Sequence, residues 1–177
     1  MDNKSSENMN KRPKIKLSEL QLAGIFAFAF VLAVWVLFTF LVGITSAPNA
    51  DMRPRLEPGD LVLFYRLDKK AADRDIIVFK KNGTEYIGRV VAKAGDTIDI
   101  SDAGNLIING NLVTESDIYY PTTRYEGYTA FPLTLQKGEY FVLCDKRDSG
   151  EDSRYFGPVN EKEISGTVIT VIRRRNL

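Results

Sequence analysis

The side chains able to do chemistry in this chain are few, and they gather in three short segments. The first is Asn49-Ala50-Asp51-Met52-Arg53-Pro54-Arg55-Leu56-Glu57-Pro58-Gly59-Asp60, a turn-rich stretch leading into an apolar run. The second, Tyr86-Ile87-Gly88-Arg89-Val90-Val91-Ala92-Lys93-Ala94-Gly95-Asp96, reads as a strand closed by a Gly-Asp turn. The third runs from Cys144 to Arg154 and crowds Asp145, Lys146, Arg147, Asp148, Glu151, Asp152 and Arg154 into a loop after an apolar strand. No histidine occurs anywhere, which excludes Ser-His-Asp and Cys-His catalysis and imidazole metal ligation. With a single cysteine, neither an internal disulfide nor a C-x-x-C site can form. No metal and no other cofactor is expected. Cys144 is most simply a small core residue, since no imidazole is present to activate it. The chemistry that remains belongs to carboxylates: Asp51 paired with Asp145 or Asp148 would be able to share a proton and activate water. Asp51 equally suits a cap on the turn before the next strand, and both readings stand at this level.

The elements that must position these residues are short and strand-like. Residues 61–65, 76–79, 86–92, 106–108, 140–143 and 167–172 are apolar runs separated by Gly, Asp, Asn and Pro, a pattern that predicts a mainly antiparallel, all-β domain. Asn109-Gly110 between Ile107-Ile108 and Asn111-Leu112-Val113 predicts a two-residue hairpin. Tyr119, Tyr120, Tyr125, Tyr128 and Phe131 crowd a segment with little strand pattern, where aromatics either cover the core or present a partner surface.

Ahead of this domain, Leu22 to Val42 contains no charge and only Thr39 as a clearly polar side chain, enough for a helix of about 31 Å that spans a bilayer core. Lys4, Lys11, Arg12, Lys14 and Lys16 precede it, and the next charge is Asp51, which orients the N-terminus to the cytoplasm. Thr45-Ser46-Ala47 loosely resembles a cleavage site, but the run exceeds an ordinary signal-peptide core and Pro48 would follow the cut, so a retained anchor is expected. The expected organisation is a cytoplasmic tail over 1–19, a transmembrane anchor over 20–45 and an extracytoplasmic β domain over 46–177, in a single-pass protein of the cell membrane. A net charge of +1 offers no field for nucleic acid, and the terminal Arg173-Arg174-Arg175 reads as a solvated end.

Taken in this order behind one anchor, the three segments resemble the type I signal peptidase family over nearly the whole chain. In the family's Ser-Met-x-Pro box, Met52, Pro54, Leu56, Gly59 and Asp60 fall in place and Asp51 stands at the serine. In the Lys-Arg-Val segment, Arg89, Val90, Gly95 and Asp96 match and Gly88 stands at the lysine. In the Gly-Asp-Asn-Arg-Asp-Asn-Ser-x-Asp-Ser-Arg box, Asp145, Arg147, Asp148, Asp152, Ser153 and Arg154 are kept as a structural set, while Cys144 replaces the glycine and Gly150 the lysine-supporting serine.

The resemblance implies a signal-peptidase-like β fold. It also implies a groove for an extended chain between residues 49–52 and 85–88, here Asn49, Ala50, Asp51, Met52, Glu85, Tyr86, Ile87 and Gly88. Because a Ser-Lys dyad needs a hydroxyl nucleophile and a neutral amine, its absence leads to the expectation of a pseudoenzyme with no catalytic residue. The degenerate dyad is similar to that of signal-peptidase-like, chaperone-like factors of surface pilus assembly in Gram-positive bacteria, which implies pilin subunits or sortase as partners at the cell surface. Two alternatives accompany this reading: an active peptidase with aspartate chemistry, and a regulatory subunit of an active signal peptidase.

Overall fold

A computed structural model describes residues 18–174; residues 1–17 of the tail expected over 1–19, and residues 175–177 with Arg175, lie outside the described residues. The described chain divides into a helical unit ending at Val36 and a β unit from Leu37 onward. The helix α1, Glu19–Val36, is apolar on every side and none of its residues is buried, unlike a core helix of a soluble domain. With the π-helical turn Leu37–Leu41 it makes one 23-residue helix, about 34 Å, long and apolar enough to cross a membrane.

Eleven strands follow: β1 Val42–Ser46, β2 Leu61–Tyr65, β3 Ile76–Lys81, β4 Thr84–Lys93, β5 Thr97–Ile100, β6 Leu106–Ile108, β7 Asn111–Leu112, β8 Leu133–Thr134, β9 Glu139–Leu143, β10 Val159–Asn160 and β11 Ile164–Ile172. They form a seven-stranded sheet in the order β1-β2-β11-β3-β4-β9-β10 and a four-stranded sheet in the order β7-β6-β5-β8. Every pairing between them is antiparallel, so the expected mainly antiparallel β class holds. The hairpin β6–β7 turns on Asn109 and Gly110, at φ 52° and 78°, as a two-residue turn with two left-handed positions requires.

Val42–Ser46, which the sequence pattern assigns mostly to the anchor, pairs along its length with β2. Its apolar residues continue the hydrophobic run without a break, so hydropathy carries no mark of where helix gives way to strand.

Both faces of the large sheet are buried in its middle, which is why β3 reads as an unbroken apolar run. Ile77 and Phe79 pack with Val90, Val142, Val159 and Ile164 on one face. Val78 points the other way, into Met52, Leu56, Val62, Phe64 and Ile87. Strand β9 serves two cores: Val142 joins the first, and Phe141 and Leu143 turn to Ile98, Ile100 and Leu106 of the smaller sheet. At about 1.5–3 kcal/mol for each large apolar side chain buried, this shared strand holds the two sheets together. It also fixes the start of the charged loop that follows it.

Candidate functional site

The site lies where two strand edges have no strand partner. β1 ends the large sheet, so its outer edge is open. Strand β4 is paired with β9 only from Arg89 to Lys93, which leaves the same edge open over Thr84–Gly88. The Thr45 hydroxyl donates to the Glu85 carboxylate and ties the two edges across the gap. Between them runs a cleft lined by Ala47, Pro48, Asn49, Asp51, Met52, Tyr86, Ile87, Cys144 and Glu151. Asn49, Asp51, Met52, Tyr86 and Ile87 of the expected groove thus meet in one cleft, and Ala50, Glu85 and Gly88 do not line it.

Asp51 is set by its own turn and by the charged loop. Its N–H donates to Asn49 Oδ1 at 3.1 Å, so the turn is closed by the asparagine and not by the Asp51 carboxylate. Its carbonyl accepts from the Lys146 N–H at 2.8 Å. The carboxylate packs against Gly150 and Cys144: a Cβ on Gly150 would fall 2.8 Å from Asp51 Cγ and 3.0 Å from Cys144 Sγ. Gly150 is at φ +98°, a conformation glycine adopts without strain. Asp51, Cys144 and Gly150, all departures from the family's boxes, therefore fit one another. Burial pushes the Asp51 carboxyl above its ordinary pKa; the hydrogen bond from Asn49 opposes this and the nearby charge of Asp152 adds to it. Burial also pushes the Cys144 thiol well up, which leaves it protonated and unreactive at neutral pH.

Gly88 does not widen the groove floor, as its lack of a side chain leads one to expect. A Cβ there would point into the core and meet Val142 Cγ1 at 2.6 Å, with Phe79 Cε1 at 3.5 Å. The space a side chain would occupy is closed by its neighbours.

The charged loop is built as a set of buried ion pairs. Arg89 holds both oxygens of Asp145, Nε at 2.7 Å and a terminal nitrogen at 2.6 Å. Arg147, fully buried, donates to the Cys144 carbonyl at 2.7 Å, to both oxygens of Glu115 and to the Thr122 hydroxyl. Asp152 caps the short helix α2, Ser153–Phe156, accepting from the Arg154 N–H, and binds the Arg154 guanidinium at 2.9 and 2.7 Å. Ser153 Oγ accepts the Val142 N–H at 2.9 Å. Asp148 stands apart on the surface, 3.9 Å from the Lys146 amine. Because Asp145 gives both oxygens to Arg89, it has none free to share a proton with Asp51, and the paired-aspartate alternative is not favoured. The partners Glu115 and Thr122 escaped sequence reasoning, since no local spacing points from them to the loop.

The described residues thus carry an apolar helix long enough to cross a membrane, an antiparallel β domain, a strand-edge cleft and a loop of buried Arg-Asp pairs. The family model for signal peptidase, peptidase S26, matches residues 20–172, and the chain belongs to that family. It is 28% identical to signal peptidase I of Pseudomonas aeruginosa, over 97% of this chain and 72% of that protein. It is also 28% identical to signal peptidase IB of Staphylococcus aureus, over 80% of this chain and 83% of that one. A crystal structure of a signal peptidase I from Enterococcus faecalis matches at 32% identity with a TM-score of 0.47, covering 57% of this chain and 97% of that one.

These relatives overturn the expectation that the chain is not an enzyme: they are named as signal peptidases, and nothing sets this chain apart from them as a pseudoenzyme. The expectation rested on two side chains missing from one catalytic route. Their absence describes that route alone.

Proposed function

We propose that the cleft between β1 and β4 receives an extended segment of another exported protein as an added strand, and that this chain works in surface pilus assembly with pilin subunits or sortase as partners. The observation that carries the reading is the pair of open strand edges, β1 over residues 42–46 and β4 over residues 84–88, with a cleft lined from the chain after β1 and from β4. An added strand draws affinity from main-chain hydrogen bonds and specificity from pockets under alternate side chains. The apolar helix tethers the domain to the membrane, with the N-terminus cytoplasmic and the domain outside. The pilus assignment itself rests on the likeness of the replaced dyad positions, Asp51 and Gly88, to those of pilus-assembly factors.

Photo-crosslinking in cells tests this. A crosslinking residue at Pro48 or Ile87 should trap pilin or sortase, whereas one at Lys137, away from the cleft, should not. Equal trapping from both places, or none from the cleft, refutes groove binding. Mass spectrometry of the trapped partner reports whether it is also cleaved. Protease added to cells stripped of their wall should remove the domain; protection of the domain refutes the topology.

A further inference from the structure

The aromatic segment 119–131 and the charged loop are latched together at the mouth of the cleft. The Tyr125 hydroxyl donates to the Gly150 carbonyl at 3.0 Å, and Gly150 touches Asp51. Thr129 donates through its N–H to the Arg154 carbonyl at 3.2 Å and through its hydroxyl to the Ser153 carbonyl at 2.7 Å. The Arg154 guanidinium lies over the Tyr125 ring at 4.4 Å and donates to the Thr123 carbonyl. This latch brings Tyr128 onto Tyr155, ring centroids 4.4 Å apart, with 55% and 39% of the two residues exposed. Aromatic surface left this open, in a segment otherwise pinned down, needs an explanation.

Four residues before Tyr155 stands Glu151. It accepts the Tyr86 hydroxyl at 2.8 Å, lines the same cleft as Asp51, and its charge reaches Tyr155. Among the described residues neither Glu151 nor Asp51 has an ion-pair partner; Lys146, whose charge acts on Asp51, is 3.9 Å from Asp148. An exposed carboxylate without an ion-pair partner, sharing one cleft with the half-buried Asp51 and four residues before the exposed Tyr155, is matched by one ligand chemistry, a cationic side chain with a long stem.

We propose that this corner of the cleft is a subsite for a lysine or arginine of the bound extended segment. The charge faces Glu151 and Asp51, and the stem or guanidinium plane lies on Tyr155 and Tyr128. The proposal rests on the groove reading above and adds the chemistry of the partner to it. In an added strand alternate side chains face the same wall, so the basic residue is required at one position and not at its neighbours.

The test uses the full-length protein in detergent micelles and fluorescent extended peptides of Ala, Thr and Val. One lysine is scanned through the positions, each peptide paired with a norleucine counterpart of the same length. At one position lysine should bind about tenfold tighter than norleucine, as a cation between aromatic faces and carboxylates does. Glu151→Gln should erase most of that advantage, Tyr155→Ala should weaken it, and salt raised to about 1 M should shrink it in the unaltered protein. If lysine and norleucine bind equally at every position, the subsite is refuted and the groove survives. If no peptide binds at all, the groove reading falls with it.

Discussion

Removal of the Arg154 side chain tests how the cleft is held in shape. The guanidinium is wholly buried and makes four hydrogen bonds: two to Asp152, at 2.9 and 2.7 Å, one to the Arg147 carbonyl at 2.6 Å and one to the Thr123 carbonyl at 3.2 Å. Bonds to a charged group contribute about 1.5–3 kcal/mol each, but taking the guanidinium and carboxylate out of water costs several kcal/mol per ion, so the intact pair is close to neutral for stability. Breaking it is different. Arg154→Met keeps the bulk but leaves Asp152, 1% exposed, with only two N–H donors, and leaves two carbonyls without this donor. The expected loss is about 3–5 kcal/mol. Adding Asp152→Asn to Arg154→Met removes the stranded charge, so the double variant should be more stable than Arg154→Met alone. Urea unfolding of the full-length protein, followed by near-ultraviolet circular dichroism, measures both. Hydrogen exchange at Tyr125–Thr129 should quicken as the latch loosens. A loss below about 1 kcal/mol for Arg154→Met, or a double variant weaker than the single, refutes the ion-pair account.

Four further outcomes are expected. Gly150→Ser should cost about 1–3 kcal/mol, because its Cβ meets Asp51 at a left-handed position; Asp51→Ala in the same chain should recover part, and strict additivity in urea unfolding refutes the contact. Gly88→Ala should cost about as much by driving a Cβ into Val142, with Val142→Ala relieving it; a neutral Gly88→Ala refutes the sealed floor. The Asp51 carboxyl is raised in the fold, chiefly by burial, so its stabilising contribution is full below the unfolded value of 3.8 and is lost as pH rises through the folded value. Asp51→Asn should therefore gain stability on the unaltered protein between acid and neutral pH, and a stability difference flat with pH refutes this. Cys144, its thiol pushed up by burial, should resist thiol reagents until the domain unfolds; labelling of the folded protein at the rate of a free thiol refutes that burial.

Much of the frame is local and therefore legible in the chain alone. The absence of histidine bounds the chemistry whatever the fold. An uncharged apolar run long enough for a bilayer, an Asn-Gly turn between two apolar runs, and short strands punctuated by Gly and Asp are properties of neighbouring residues, and all reappear in the structure. The order of the three boxes was enough to point to the peptidase family. The activity was not legible there: two missing side chains were read as lost function, and the relatives correct that reading.

The tertiary structure decided what depends on direction and closure. Whether Gly88 opens the groove turns on the face of β4 its missing side chain would take, and that face is the core. Glu115 joins Arg147 from 32 residues away, and Tyr125 reaches Gly150 from 25 away, pairings no periodicity announces. The mutual fit of Asp51, Cys144 and Gly150, and the meeting of Tyr128 with Tyr155, exist only because strand β9 and its loop are packed between two cores. Periodicity records which face of an element is apolar; which distant residues share a cavity follows from how the chain closes on itself, and that is settled only when the cores are packed.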